Sequence, residues 1–130
     1  MEKWKVESAD APRALGPYSQ AIKAAGHTYV FVSGQLGIDP ATGSFAGDTV
    51  EVQTERALKN VIAIVGAAGG NKESIVKITV FLKRLEDFAA MNEIYSKMMS
   101  APYPARSCVG ALDLPKGGLV EIEAVAALES

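Results

Sequence analysis

The stretch SIVKITVFLK at residues 74–83 alternates apolar and polar side chains, and this alternation decides the fold class. Val76, Ile78, Val80 and Leu82 share one side of an extended chain, because successive side chains of a strand point to opposite faces. The other side mixes lysine, threonine and phenylalanine. The pattern predicts a strand with one face in the core and one mixed face.

Helical patterns flank this strand on both sides. Upstream, a helix is expected to begin at Asp48, where Glu51 completes a capping-box pattern, and to end at Gly69 and Gly70. Downstream, a second helix is expected over about 85–99, with aromatic and methionine residues at helical spacing. Each helix has a single apolar stripe, which is typical of a helix packed on a sheet.

Further strands are predicted at residues 20–24, 29–33, 106–112 and 119–127. Local turn signals pair the first two strands as a hairpin through Gly26, and the last two in the same way. The order ββαβαββ is an α+β layout, with a mixed sheet and two helices on one face. A chain of 130 residues is expected to form one domain, 1–130.

The composition argues against several classes of protein. Cys108 is the single cysteine, so no intrachain disulfide is expected, and His27 is the single histidine, so neither a Ser-His-Asp triad nor a zinc cluster is expected. A net charge of −2 gives no electrostatic reason to expect nucleic acid. No secretory signal, long apolar run or phosphate-binding loop is recognisable, which favours a soluble cytoplasmic protein, with a mitochondrial location left open for a eukaryotic host.

Charged residues interrupt the apolar strands near the C-terminus. Because successive side chains of a strand alternate between its two faces, Arg106 and Cys108 share one face of their strand. Glu121 and Glu123 share one face of the last strand in the same way. Such charges are costly inside a core unless they are paired. They fit a solvated sheet face or an edge salt bridge, or else an anion pocket in which arginine holds a carboxylate and glutamate moves a proton.

Three other polar residues carry weaker signals. Asn92 lies beside the apolar stripe of the second helix, where a buried amide serves a structural hydrogen bond or a ligand. Cys108 is expected to be a small buried side chain and not a nucleophile, since no histidine base is near it in sequence. His27 is expected to be solvated in a turn.

Segments along the whole chain resemble the RidA (YjgF) family of reactive-intermediate deaminases. The Pro-Ala-Arg-Ser-Cys and Glu-Ile-Glu-Ala segments are specific in combination. The matching segments are Gly16-Pro17-Tyr18-Ser19-Gln20-Ala21, Ser33-Gly34-Gln35, Gln53-Thr54 with Asn60, Asp87-Phe88 with Asn92 and Tyr95, Pro104-Ala105-Arg106-Ser107-Cys108, Leu114-Pro115-Lys116 and Glu121-Ile122-Glu123-Ala124.

The resemblance implies a chorismate-mutase-like fold that forms a homotrimer, with three equivalent clefts between subunits. It also implies that the last strand lies deep in the sheet and not at the end of a hairpin. Hydrophobic residues make up 48% of the chain, and there are 12 glycines besides, which together slightly exceed the apolar share of a typical soluble domain. Packing of three subunits would bury the additional apolar surface.

By resemblance, the activity is hydrolysis of 2-iminobutanoate, 2-iminopropanoate and their enamine tautomers to 2-oxo acids and ammonia. No metal or organic cofactor is implied. Arg106 matches the arginine that binds the substrate carboxylate, assisted by the main-chain amide of Cys108, and Glu121 matches the acid that directs the attacking water. The other matching cleft positions are Tyr18, Ser33, Gly34 and Asn92.

Two other functions stay open at the level of sequence. Some members of this family are described as RNA-cleaving translation inhibitors, and others as trimers that bind small ligands without turnover. An RNA-cleaving enzyme is expected to carry a basic stripe with interleaved aromatic residues, whereas 13 basic and 15 acidic residues are dispersed along this chain. Glu121 favours the enzyme over the binding module.

Overall fold

The computed structural model of the protein describes residues 2–129, with two helices and eight strands. The helices are α1 (Val50–Ala67) and α2 (Phe88–Met98). The strands are β1 (Lys3–Val6), β2 (Ala21–Ala24), β3 (Thr28–Leu36), β4 (Ile38–Asp39), β5 (Ser44–Phe45), β6 (Ile75–Leu82), β7 (Ala105–Val109) and β8 (Val120–Leu128).

A four-stranded sheet in the order β3-β8-β6-β7 forms the centre of the fold. Strand β8 is antiparallel to both of its neighbours, whereas β7 runs parallel to β6. Helix α2 makes the crossover that a parallel pair requires. Both helices pack on one face of the sheet, where their apolar stripes share a single core with the strands. The predicted α+β layout with a mixed sheet and helices on one face is confirmed.

Both predicted hairpins are wrong. Strand β2 pairs with β1, which the sequence did not predict, and β3 pairs with β8. Strand β8 lies between β3 and β6, as the family resemblance implies. The physical reason is that β8 is apolar on its core face and also carries Val125 and Ala127 on the other face. A strand of that kind is better buried by two neighbours than by one.

The helix ends differ slightly from the prediction. Helix α1 is capped by Thr49 and not by Asp48, since Thr49 Oγ1 accepts a hydrogen bond from the backbone N of Val52 at 3.2 Å. Gly69 has a φ of +98°, and its left-handed conformation ends the helix where the glycines predict. A single 3₁₀ turn, Leu85–Asp87, precedes α2.

The face of the sheet opposite the helices carries exposed apolar side chains. Tyr29 is 55% exposed, Phe31 76% and Val109 44%. Exposed apolar side chains on one sheet face are available for contact with another protein surface.

Neither described helix is long and apolar enough to cross a membrane.

Gln53 of α1 joins the two loops that lead into the site. It is only 4% exposed, and its Nε2 donates to the carbonyl of Gly47 at 2.9 Å. Its Oε1 accepts from the backbone N of Leu119, also at 2.9 Å. This side chain therefore positions the start of β8, the strand that carries Glu121.

Replacing Gln53 with leucine leaves two partly buried backbone groups, the carbonyl of Gly47 and the N–H of Leu119, without these partners. We expect Gln53→Leu to lower the free energy of unfolding by about 1–3 kcal/mol, measured by denaturant titration at one fixed chain concentration. The control is Glu55→Gln, an exposed position on the same helix, with an expected change within about 0.5 kcal/mol. Equal stability of Gln53→Leu and the unmodified protein would contradict this role.

Candidate active site

Arg106 lies on the helix-facing side of β7, level with Ile78 of β6. Its Nη1 donates to Oδ1 of Asn92 on α2 at 2.6 Å. Cys108 occupies the same side of β7 and packs against the core, as the period of two predicts. The amide of Asn92 therefore holds the guanidinium through a hydrogen bond within the chain.

Three aromatic rings surround the guanidinium of Arg106. Its central carbon lies 4.8 Å from the ring centroid of Tyr95, and 5.7 Å from those of Tyr18 and Phe88. Each ring face attracts a cation, by about 0.5–2 kcal/mol depending on exposure. We call these three rings the aromatic cage. The cage restricts the orientation of Arg106 without neutralising its charge.

Two different parts of the chain build the cage. Phe88, Asn92 and Tyr95 recur at helical spacing, so α2 presents all three along one face. The sequence shows this stripe as ordinary core, and the amide in its flank is the signal that could have revealed a site.

A short loop brings in the third ring, that of Tyr18. The next residue, Ser19, is buried, and its Oγ donates to the carbonyl of Tyr103 at 2.6 Å. The backbone N of Ser19 donates to the carbonyl of Pro104 at 3.2 Å, so this loop lies beside the start of β7. Gln20 fixes the other end of the loop through hydrogen bonds from its Nε2 to the carbonyls of Ser8, Ala11 and Pro12.

No carboxylate within residues 2–129 forms an ion pair with Arg106. A guanidinium has five N–H donors, of which Asn92 takes one. The remaining donors form the planar fork that binds a carboxylate through two parallel hydrogen bonds. This half of the site can therefore bind a small carboxylate.

Burial favours the neutral form of two ionisable side chains near Arg106, Cys108 and Tyr95. Burial raises the pKa of the Cys108 thiol, and the opposite effect of Arg106 is smaller. Burial also raises the pKa of the Tyr95 phenol, whose hydroxyl has no hydrogen-bond partner among the described residues. With its pKa raised, Cys108 is not a thiolate at neutral pH, in agreement with the sequence analysis.

Glu121 belongs to a second group of residues, on the β3 side of the sheet. Its side chain leaves β8 on the face away from the helices, because Val120 and Ile122 on either side of it are buried in the core. Ser33 and Gly34 form an irregularity in β3, where the pairing with β8 shifts register. A Cβ atom on Gly34 would lie 2.8 Å from Glu121 Oε2, so glycine makes room for the carboxylate.

A cavity of about 490 Å³ opens beside Glu121. It combines two charged side chains, Arg56 and Glu121, with apolar and amide groups from α1 and the end of β3. Its lining is Gly34, Gln35, Leu36, Ile38, Pro40, Arg56, Asn60, Ala63, Ile64 and Glu121.

The two groups do not meet within one chain. Strand β6 separates β7 from β8, a distance of roughly 10 Å across the sheet, and Arg106 and Glu121 lie on opposite faces. An anion pocket with Glu121 next to Arg106 therefore does not form within a single chain. The alternation of side chains predicts which face of its strand a residue occupies, but it does not predict the order of the strands in the sheet. His27 is exposed, as expected, and contributes to neither group. No group of three or more potential metal ligands occurs among residues 2–129.

A carboxylate introduced at Asn92 should compete with any bound anion. We expect Asn92→Asp to weaken the binding of 2-oxobutanoate by at least about tenfold, since the new charge would lie within hydrogen-bond distance of Arg106. Titration calorimetry measures this affinity. Ser96→Asp adds the same charge to an exposed position one turn along α2 and should leave the affinity within about twofold. Equal losses in the two variants would refute a direct contact.

The chain matches known proteins along nearly its whole length. The family model described as endoribonuclease L-PSP matches residues 8–128. Reactive Intermediate Deaminase A, chloroplastic, from Arabidopsis thaliana is 48% identical over 128 residues, which cover 98% of this chain and 67% of that protein. The 2-iminobutanoate/2-iminopropanoate deaminase from Capra hircus is 42% identical over 121 residues, which cover 93% of this chain and 87% of that protein.

Solved structures match the fold as well. RidA from the Antarctic bacterium Psychrobacter sp. PAMC 21119 is 42% identical, with a TM-score of 0.74 and coverage of 96% of this chain and 99% of that one. TdcF from E. coli, crystallised with bound serine, is 42% identical, with a TM-score of 0.71 and coverage of 95% and 98%. The fold implied by the sequence resemblance is confirmed. The chain therefore belongs to the endoribonuclease L-PSP family, which is also called the YjgF/RidA/RutC family.

Proposed function

We propose that the protein hydrolyses 2-iminobutanoate, 2-iminopropanoate and their enamine tautomers to 2-oxo acids and ammonia. The observation that carries this proposal is the guanidinium of Arg106, held by Asn92 and the aromatic cage without an acidic partner among the described residues. The names of the Arabidopsis and goat relatives support a deaminase. The serine bound to TdcF supports a pocket for a molecule of amino-acid size.

Arg106 binds the substrate carboxylate through its free N–H groups. The main-chain amide of Cys108, two residues further along β7, assists as a second donor. The interaction is present in both substrate and transition state, so it contributes to affinity as well as to rate. It also fixes the position of the imine carbon, which is bonded directly to the carboxylate.

Glu121 directs the attack of water on that carbon. The carboxylate accepts a proton as the water oxygen forms its bond to the C=N carbon. Glu121 returns that proton to the imine nitrogen, which completes the carbinolamine. The hydroxyl proton of the carbinolamine then passes to the nitrogen as the C=O bond of the 2-oxo acid forms, and the C–N bond breaks to release ammonia. Acid–base assistance of this kind contributes a factor of about 10²–10⁴, or about 3–5 kcal/mol of barrier.

A complete site needs a second subunit, because Arg106 and Glu121 lie far apart in one chain. We propose that the Arg106 side of one subunit meets the Glu121 side of the next. A contact between two different surfaces generates a ring when the rotation closes, and three subunits give the homotrimer that the family resemblance implies. The exposed Tyr29, Phe31 and Val109 of the open sheet face support this assembly, since packing would cover them.

RNA cleavage is the main alternative, in view of the description of the family model. Unspecific binding of single-stranded RNA relies on a basic groove with aromatic side chains on which bases stack. Here Tyr18 and Tyr95 face Arg106 instead, and the net charge is −2. These observations favour a small carboxylate over a nucleic acid.

Arg106 and Glu121 should affect different kinetic parameters. Arg106→Lys keeps the charge and loses the fork, so we expect weaker binding of 2-oxobutanoate together with a loss in kcat/KM of about tenfold or more. Glu121→Gln should lower kcat by about 10²-fold or more and leave that affinity nearly unchanged. The rate is measured with imine generated in situ, and the affinity by calorimetry.

Cys108→Ser is the control, because it keeps the main-chain amide and should retain most of the activity. A wild-type rate in Glu121→Gln would show that another group directs the water. Full affinity in Arg106→Ala would show that the carboxylate binds elsewhere. Cleavage of RNA without imine turnover by the unmodified protein would favour the alternative function.

Mixed trimers test whether one site is shared between subunits. Arg106→Ala and Glu121→Gln chains, co-expressed with different tags, should recover activity that neither has alone. With random mixing, about one quarter of the clefts combine an intact Arg106 with an intact Glu121 from the next subunit. The trimer is verified by light scattering against the chain mass of 13.7 kDa.

Mixing the separate trimers without exchange of subunits serves as the control. A site within a single chain predicts no recovery in co-expressed trimers. A monomer that stays monomeric at all concentrations would remove the shared cleft altogether.

A further inference from the structure

The cavity beside Glu121 contains a second arginine that the proposed hydrolysis does not use. Arg56 is a half-buried residue of α1, and it lines the cavity together with Glu121 and Gly34. No carboxylate within residues 2–129 forms an ion pair with Arg56, although Glu121 borders the same cavity. The cavity therefore holds a guanidinium that is not ion-paired with the glutamate beside it.

Asn60 fixes the position of this guanidinium. Its Nδ2 donates to the carbonyls of Leu36 at 3.1 Å and Ile38 at 2.9 Å, which uses both hydrogens of the amide. Its Oδ1 is thereby oriented to accept from Arg56 Nε at 3.0 Å. Within the described part of the chain the arginine is held through Nε alone, so its two terminal nitrogens stay available to the cavity.

The surroundings of Arg56 strengthen its attraction for an anion. Ile38, Ala63 and Ile64 line the cavity beside it, and Arg56 itself is half-buried, so its contact with an anion is stronger than that of a fully exposed arginine. A half-buried arginine in such a place is stabilised when an anion pairs with it.

We propose that Arg56 binds a second carboxylate of the substrate, so that the cleft accepts 2-imino dicarboxylic acids such as 2-iminosuccinate and 2-iminoglutarate. The inference rests on the proposed function. Arg106 of one subunit binds the carboxylate next to the imine, Glu121 of the next subunit lies at the imine carbon, and the side chain extends into the cavity towards Arg56. The cavity of about 490 Å³ is larger than an ethyl group requires.

The chemistry of hydrolysis is the same as for the monocarboxylic imines. Water adds to the C=N carbon, the C–N bond breaks, and the products are a 2-oxo dicarboxylic acid and ammonia, with the distal carboxylate unchanged. Imines of this class are formed when a flavin-dependent amino-acid oxidase oxidises an acidic amino acid and reduces O₂ to H₂O₂. A reaction of that class is the source of substrate that this specificity requires.

The experiment compares two imines in three proteins. Oxidases acting on glutamate and on 2-aminobutanoate generate 2-iminoglutarate and 2-iminobutanoate in situ, and competition with semicarbazide measures their rates of loss. Arg56→Gln removes the charge and keeps an amide close to Asn60. We expect it to lower the ratio of kcat/KM for 2-iminoglutarate over 2-iminobutanoate by about tenfold or more.

Lys59→Gln is the matched control. It removes one positive charge from an exposed position on the same helix, where Lys59 pairs with Glu55, and it should leave that ratio within about twofold. Calorimetry with 2-oxoglutarate and 2-oxobutanoate gives an independent reading of the same selectivity, with no dependence on turnover.

The outcomes separate the two proposals. Turnover of 2-iminobutanoate without turnover of 2-iminoglutarate, or an unchanged ratio in Arg56→Gln, overturns the role of Arg56 and leaves the proposed function standing. Turnover of neither imine overturns the proposed function. In that case, loss of 2-oxoglutarate affinity in Arg56→Gln alone supports the second carboxylate site, and equal affinity in all three proteins overturns it.

Discussion

The free positive charge of Arg106 is the constraint on which the candidate site depends. A cation partly removed from water is unfavourable unless other groups replace its hydration. Here the replacement is the aromatic cage and one amide oxygen, at 2.6 Å from Nη1, and not a carboxylate. An internal acid would stabilise the arginine better but would occupy the fork. The fold thus keeps the guanidinium in place and available, which requires α2, β7 and the Tyr18 loop to meet at one point.

The central place of β8 explains why the site is divided. Its core face is apolar and fully covered by the helices, so Glu121 must leave the strand on the other face. Arg106 needs the helix side, because the rings and amide that hold it come largely from α2. The same sheet therefore assigns the two groups to opposite faces, and only a neighbouring copy of the chain can bring them together. If the protein hydrolyses imines as proposed, assembly is a condition for catalysis and not an addition to it.

The sequence allowed us to predict which face of a strand each side chain occupies, but not which strands pair with each other. The core face of β6 from Ile78 to Leu82, the shared face of Arg106 and Cys108, and the outward direction of Glu121 all follow from the alternation of side chains along a strand, and the structure agrees with each. The prediction is wrong at the start of β6, where a register shift between Ile75 and Lys77 brings Ile75 and not Val76 into the core. The pairing of β3 with β8 joins residues almost a hundred positions apart, and it depends on burying β8 on both sides, which no local turn signal reveals. The aromatic cage escaped the pattern for a similar reason. Phe88 and Tyr95 have the spacing of core residues, and only their distance to an arginine on another element shows a second role.

The two arginines are held by different means, and the difference suits different tasks. Arg106 lies against ring faces, which leave most of its N–H groups free, so it can take both oxygens of a carboxylate at a fixed angle. Arg56 is held at Nε by Asn60, whose own hydrogens are used by the backbone at the end of β3, so its position follows the position of that loop. In the assembled cleft Glu121 would lie between two positive groups. The net positive charge of these three groups would attract an anionic imine more strongly the more carboxylates that imine carries.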